Sequence, residues 1–514
     1  MLALQYTGHP FFDIGLATIV AYVEKSHPLD LTEDDLYRVA EYIETYYTQQ
    51  PLTSFLTVSL MNSDFTQPAF KDKAERRREY ARLVAKNFGA DAPQTEEICV
   101  FTGWPALGRS LSLKKDKEGK DELPPGRAYR QHIPLVTGEA IINFSSGGDP
   151  GLPVSGEALL CLQFFPMGCR KCSGRLLAIH SDNPKILLAA AREALRENKE
   201  AITLARAGGE TKLPDASSSP QTLLVETLLA MELRRLDAHE EKQPYSITAY
   251  HLTNSGQTSP LDEKSPPLRI YHLPMNIVRF LRTKHHPDYT QVWQRLVERG
   301  WERPKPPKKA GEGEEENALA HKGRRNYLYE DIFRLPDTAR AFVMTYLLRI
   351  PKRHVPQADP RSEYNLRQEV NLISWQFTAL FLEEVIHMDK QRIEEIRQLG
   401  DTLASYVKEQ DDKGFFHNFY KVRWPDDFRT LLIRANYKYV KAGHTPLIKL
   451  EPYLAVFEEG YEMMQPNWKF ARDLVLIRMI ERLYELNWFS DHPDALPDTA
   501  DIDTTTLDSN ATTL

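Results

Sequence analysis

The chain has 514 residues, 41% of them hydrophobic and 27% charged, with a formal net charge of −7 at pH 7. That gives room for two to four domains of ordinary globular composition and excludes a uniformly basic nucleic-acid coat, so any surface for nucleic acid must be local. Four cysteines (Cys99, Cys161, Cys169 and Cys172), no basic segment ahead of Asp13 and no apolar run near 18 residues lead us to expect a cytoplasmic chain without disulfides, signal peptide or membrane contact.

Residues 13–25 read as a buried helix on the spacing of Ile14, Leu16, Ile19, Val20 and Val23. Thr32 and the acids after it predict an N-cap for a second helix carrying Leu36, Val39, Ile43 and Tyr46. A basic helix follows over 70–87. From about 98 to 182 glycine, proline and β-branched residues rise, and "AIINF" and "EALLCLQFF" read as strands around a glycine-rich loop at 145–156. Helices return over 185–207 and 220–236, and 253–267 reads as a loop. Residues 301–326 read as a flexible charged linker, rich in Pro, Gly and charge. Beyond it lie an all-round apolar helix at 371–388, an amphipathic one over 390–407 with Ile393, Ile396, Leu403 and Val407 on one face, and another over 470–489. The fold class is therefore α+β. A mixed N-terminal domain (1–300, β-rich over about 98–182) precedes a mainly α-helical C-terminal bundle (327–488), with a disordered acidic tail at 489–514.

Cys169 and Cys172 stand at C-x-x-C spacing, half of a zinc knuckle. The earlier "CVFTG" has Cys99 but Thr102 where a second cysteine would complete a pair. Three readings stay open: a structural zinc on Cys99, Cys169 and Cys172 with His132 or His180 as fourth ligand, a redox pair, or a bare knuckle without metal. None of the hydrolase, phosphate-loop or dinucleotide motifs occurs. His9 beside Pro10 reads as a packed or capping residue, and His285, His286 and Asp288 read as an exposed polar turn.

Two segments concentrate positive charge. Residues 420–449 hold seven Lys/Arg against two acids, with Tyr420, Trp424, Phe428, Tyr437 and Tyr439 interleaved, a pattern that suits phosphates and unpaired bases. Residues 104–134 hold seven Lys/Arg against four acids, just before the glycine-rich loop.

The opening "YTGHPFFDIGLATIVAY", the "LTEDDL" after it, "CVFTG", and the block "IPLVTGEAIINFSSGGDPGLPVSGEALLCLQFFPMGC" with its C-x-x-C resemble the large subunit of type I-B CRISPR Cascade complexes, in the branch named for paired C-x-x-C motifs. The resemblance is most specific over residues 6–182, and Thr102 departs from it. It implies a non-catalytic subunit of an RNA-guided surveillance complex. Such a subunit reads the protospacer-adjacent motif in duplex DNA, promotes unwinding and R-loop formation, and offers a docking surface to a helicase–nuclease or to transposition proteins. Its partners would be guide RNA, the Cascade backbone subunits, target DNA and a small subunit begun internally at Met388. No cofactor is required, and a structural zinc is the one candidate. On this reading Asn143, Ser145, Ser146, Gly147 and Gly148 read the motif. Arg109, Lys114, Lys115, Arg127 and Arg130 hold duplex phosphates, and Arg423, Arg429, Arg434, Lys438 and Lys441 line the path of a single strand. Two competing expectations are a metal-dependent nuclease using His285, His286 and Asp288 or the cysteines, and a zinc-stabilised scaffold without nucleic acid.

Overall fold

The first unit is built around α1 (Pro10–Tyr22), because that helix has no polar face to give to water: every residue from Phe12 through Val20 is buried. The computed structural model describes residues 3–115, 117–136, 150–237, 243–254, 265–303, 324–457 and 468–496. Helices α2 (Glu33–Tyr46), α3 (Leu52–Leu56) and α4 (Ala74–Ala85) follow. Thr32 and Asp35 close a capping box on α2, and Leu36, Val39 and Ile43 point inward as their spacing predicts. Two short ladders come next, β1 (Gln94–Ile98) with β2 (Pro105–Leu107), and β3 (Arg127–Ala128) with β4 (Leu152–Pro153).

The run "EALLCLQFF" is not a strand. It forms α5 (Gly156–Phe164), capped by Ser155 accepting from the Ala158 amide at 3.2 Å. The run is apolar all round and buried all round, and a short apolar run has no period that separates strand from helix. Among the described residues, the β-rich stretch expected over 98–182 is two small ladders, a helix and, further on, β5 (Arg170–Cys172) and β6 (Arg175–Ser181), while the expected strand "AIINF" lies outside them. Strands β5 and β6 pair antiparallel with each other, and after α6 (Pro184–Ala207) and α7 (Pro220–Asp237) the sheet continues through β7 (Ile247–Leu252) to β8 (Leu268–Leu273).

Helix α1 packs on α5, α6 and the 3₁₀ turn Phe165–Gly168. A Cβ on Gly15 would overlap the Cys161 carbonyl, and one on Gly168 would overlap the Thr18 hydroxyl, so both glycines mark close backbone approach. Two polar side chains that α1 draws inside find partners. Asp13 accepts from the amides of Thr7 at 2.7 Å and Gly8 at 2.9 Å and faces His180 Nε2 at 3.2 Å, while Thr18 Oγ1 donates to the Ile14 carbonyl.

The chain divides between Met275 and Asn276, not at residue 300. Helices α8 (Met275–Arg282) and α9 (Pro287–Gly300) place Phe280 and Trp293 against Phe377, with ring centroids 5.0–5.6 Å apart, and this aromatic core draws 276–300 into the second unit. Of the expected linker, 304–323 lie outside the described residues. Its ends are structured: Trp301 pairs with Asn326, and Ser219 donates its amide to the Arg324 carbonyl at 2.9 Å. The second unit continues with α10 (Tyr327–Ile332), α11 (Ala339–Phe342), α12 (Trp375–Glu384), α13 (Lys390–Gln410), α14 (Lys413–Lys421), α15 (Pro425–Lys441), α16 (Leu450–Phe457), α17 (Trp468–Glu485) and α18 (Trp488–Asp491). Helix α13 packs along α17, where a Cβ on Gly400 would overlap Arg478, and Ile393, Ile396, Leu403 and Val407 are buried as predicted. The structure continues past residue 489: Trp488 and Leu496 are buried, and the Leu496 carbonyl accepts from Arg367 at 2.8 Å. Only 497–514 of the expected tail lie outside the described residues.

Gly15→Ala is expected to overpack the α1–α5 contact and cost about 1–3 kcal/mol, read as a lower urea midpoint. Gly414→Ala is expected to cost nothing and to gain up to about 1 kcal/mol, since a Cβ there meets only Asp412 Oδ1 at an ordinary 3.6 Å. Equal midpoints for the two variants would contradict the close approach at Gly15.

Candidate nucleic-acid interface

The motif-reading residues Asn143, Ser145, Ser146, Gly147 and Gly148 lie outside the described residues. The basic segment before them is less positive than its count suggests. Between Lys114 and Glu122 four cations and four acids cancel in the sequence. In space Lys114 lies 3.6 Å from Glu122, Lys115 pairs with Asp121, and Lys120 lies 2.9 Å from Glu118. Arg127 departs from the role expected of it. Its guanidinium is buried, pairs with Glu97 and donates to the Gly151 carbonyl at 3.1 Å, so it holds the β3–β4 ladder and a phosphate would have to displace Glu97. Arg130 is half-buried, and Arg109 is exposed, donating to Asn87 Oδ1 at 3.2 Å.

The cysteines are each engaged separately. All four are buried and free. Cys169 donates its thiol to the Phe165 carbonyl at 3.3 Å, and Cys172 to the Ser218 carbonyl at 3.4 Å. Burial pushes the Cys169 thiol well above its ordinary pKa and the Cys172 thiol up to about 11. Both ring nitrogens of His132 are engaged. Nε2 meets the Leu111 carbonyl at 2.9 Å, and Nδ1 accepts from the Tyr129 amide at 3.1 Å. His180 is turned toward Asp13. Among the described residues no three His, Cys, Asp or Glu side chains gather to hold a metal.

His9 and His286 cap helices. His9 caps α1, accepting from the Phe12 amide at 3.4 Å, and its ring packs edge-on against Phe101. His286 caps α9, accepting from the Asp288 amide at 3.3 Å and lying 3.7 Å from the Asp288 carboxylate.

Helix α15 gathers the strongest exposed combination of rings and charge. Its inner face is Phe428, Leu432 and Ala435, and Tyr420 just before it is also buried, so these two aromatics belong to the core. Asp426 and Asp427 fill its first turn and Lys438 and Lys441 its last, both favourable to the helix dipole. Lys438 is fixed on Asp412 at 2.7 Å, and Arg429 donates to the Tyr453 hydroxyl at 3.1 Å. Arg434 and Lys441, seven residues apart on one face, are exposed and make no ion pair or side-chain hydrogen bond among the described residues. Trp424 at the N-cap and Tyr437 thirteen residues on are each 69% exposed, about 20 Å apart along the axis at 1.5 Å per residue. Charge and aromatic content alone do not reveal a strip of aliphatic side chains beside them. Ile433 and Val440, at i and i+7 around Tyr437, are exposed, as is Leu450. Leu450 lies on the segment held to α15 at Asn436–Ile448 and Arg429–Tyr453. The signal was the helical spacing of these residues read against the buried set at 428, 432 and 435.

No protein-family model, curated protein or solved structure matches the chain. No helix among the described residues is long and apolar enough to cross a membrane.

The buried histidines predict a pH dependence. Burial pushes His132 and His251 each down to about 4, so the native chain refuses protons that the unfolded chain takes up near pH 6.5. Stability is fully present above about pH 6.5 and falls as pH drops toward 4, by on the order of 2–3 kcal/mol for a site as buried as His132. The fall in urea midpoint between pH 7 and 5 is expected to be smaller in His132→Gln than in the parent. The same fall in both would remove His132 from the account.

Proposed function

We propose that this chain is a non-catalytic, nucleic-acid-binding large subunit of an RNA-guided CRISPR surveillance complex, and that the outer face of α15 carries a single strand. The carrying observation is the pairing of two exposed aromatic faces, Trp424 and Tyr437, with two uncommitted cations, Arg434 and Lys441. Every base has a face to stack, so aromatic platforms bind strands with little regard to sequence, while cations neutralise phosphates. Pairing with a guide would supply the specificity such a face lacks. The resemblance over residues 6–182 supports the rest of the reading. The loop at 143–148 would read the motif, with Arg109, Lys114, Lys115 and Arg130 near the duplex. Arg423, Arg429 and Lys438 would flank the strand. A helicase–nuclease or transposition proteins would dock on the assembled complex.

Met388 is buried immediately before Asp389, which caps α13 by accepting from the Gln391 amide at 2.8 Å. A small subunit begun at Met388 would open on a complete helix cap.

The two halves of the face are separable. Trp424→Ala and Tyr437→Ala are each expected to weaken binding of a single-stranded oligonucleotide by about 1–3 kcal/mol and leave its salt dependence nearly unchanged. Arg434→Ala with Lys441→Ala is expected to weaken binding and flatten the slope of log affinity against log salt by roughly one to two. Unchanged affinity and slope in all of these variants would remove α15 from the interface.

A further inference from the structure

The second unit holds a cavity that strand binding on α15 does not use. It measures about 390 Å³, a size that suits a small ligand or one large side chain, and it opens among α9, α12, α13 and α17. Helix α12 supplies Trp375, Ala379 and Glu383 at i, i+4 and i+8, with Gln376 and Leu380 beside them, so one side of that helix forms a wall. Tyr289 joins from the first turn of α9, Arg397 from α13, and Arg478 and Glu481 from α17.

Both arginines are already committed. Arg397 lies 2.6 Å from Glu394 and 3.0 Å from Asp401. Arg478 lies 2.7 Å from Asp401 and 2.6 Å from Glu481, and Glu481 also accepts from the Trp375 amide at 2.9 Å. Hydrogen bonds from Arg397 and Gln398 pull the Glu394 carboxyl down to about 2, so these pairs stay charged across the physiological range. An anion entering here would have to displace carboxylates from both guanidinium groups.

A cation meets the opposite situation. Glu383, Glu394, Asp401, Glu481 and Glu485 outnumber Lys390, Arg397, Arg478 and Arg482 around the cavity. Glu383 is held only by Lys390, at 2.8 Å, and that lysine is 80% exposed, so the contact is easily exchanged. The Gln376 side chain and the Tyr289 hydroxyl make no hydrogen bond among the described residues, which leaves two neutral acceptors on the lining.

We infer that this cavity takes an arginine side chain presented by a partner protein, its guanidinium between Glu383 and the Gln376 amide oxygen and its plane against the Tyr289 ring. A guanidinium is planar and weakly hydrated, stacks on aromatic rings and forks onto carboxylates. Ala379 and Leu380 give its methylene stem an apolar path. A free amino acid would bring its own carboxylate to a place where carboxylates are already in excess, and an arginine within a chain does not. The inference is independent of strand binding by α15.

The test is saturation-transfer difference NMR on the full chain, with N-acetyl-arginine N-methylamide as probe. Its citrulline analogue serves as the neutral isostere, and free arginine and adenosine monophosphate are compared with it. The arginine probe is expected to bind at least about tenfold tighter than the citrulline analogue and to slow amide hydrogen exchange over 375–384. Glu383→Gln and Tyr289→Ala are each expected to weaken it roughly two- to fivefold. Lys390→Ala removes the competitor for Glu383 and is expected to tighten binding about twofold. Glu383 and Lys390 are both exposed, so their variants are expected to keep the parent's urea midpoint.

No binding of the arginine probe, equal binding of the citrulline analogue, or weaker binding in Lys390→Ala would overturn the inference. Free arginine binding as tightly as the blocked probe would make the cavity a small-molecule site and overturn the partner assignment. Tighter binding of adenosine monophosphate with protection over 375–384 would make it a nucleotide pocket and overturn the inference as well.

Discussion

The corner Asp411–Asp412 holds the exposed face of α15 in place. Asp411 ends α13 in the left-handed conformation, φ +48°, which an aspartate tolerates better than most residues, and its carboxylate takes Trp488 and His492. Asp412 caps α14 through the Phe415 amide at 2.9 Å, accepts from the Tyr406 hydroxyl at 2.8 Å and holds Lys438 at 2.7 Å. Burial alone would raise the Asp412 pKa; the Lys438, Phe415 and Tyr406 hydrogen bonds outweigh it and hold the carboxyl below its ordinary range. It therefore stays charged and keeps Lys438 engaged. With Lys438 fixed on that side and Phe428, Leu432 and Ala435 packed inside, α15 can only present Ile433, Arg434, Tyr437 and Lys441 to solvent.

Much of the fold was legible because local chemistry and tertiary packing agree. Thr32 and Asp35 announced α2, and the apolar spacing of α13 matched its buried face. Legibility failed at α5, where packing all round erased the period. The Ser155 cap and Glu157 in the first turn were the available signals, outweighed by the β-like run that followed. The unit boundary was missed because composition marks a linker by charge and proline. Phe280 and Trp293 instead join the second unit through rings far along the chain, at Phe377 and Phe381.

The candidate site was partly legible. Net charge by segment overstated 104–134, since pairing within the segment neutralises most of its lysines and Arg127 is spent on Glu97. It served better at 420–449, where acids are few, yet it could not say which rings were core. Tyr420 and Phe428 went inside, while Trp424 and Tyr437 stayed out. The C-x-x-C spacing carried no geometric promise by itself. Cys169 packs in the core at the end of a 3₁₀ turn, and Cys172 belongs to the edge of the sheet, with each thiol hydrogen-bonded to a different carbonyl.

Work on nucleic acid inside a guided complex, as proposed, would leave RNA on the purified chain. The most direct measurement is to tag it in the organism it comes from, purify it gently and sequence any RNA that accompanies it. Short RNAs of uniform length sharing a repeat-derived end, together with several further protein bands, are expected. A single protein band free of RNA would contradict the proposal.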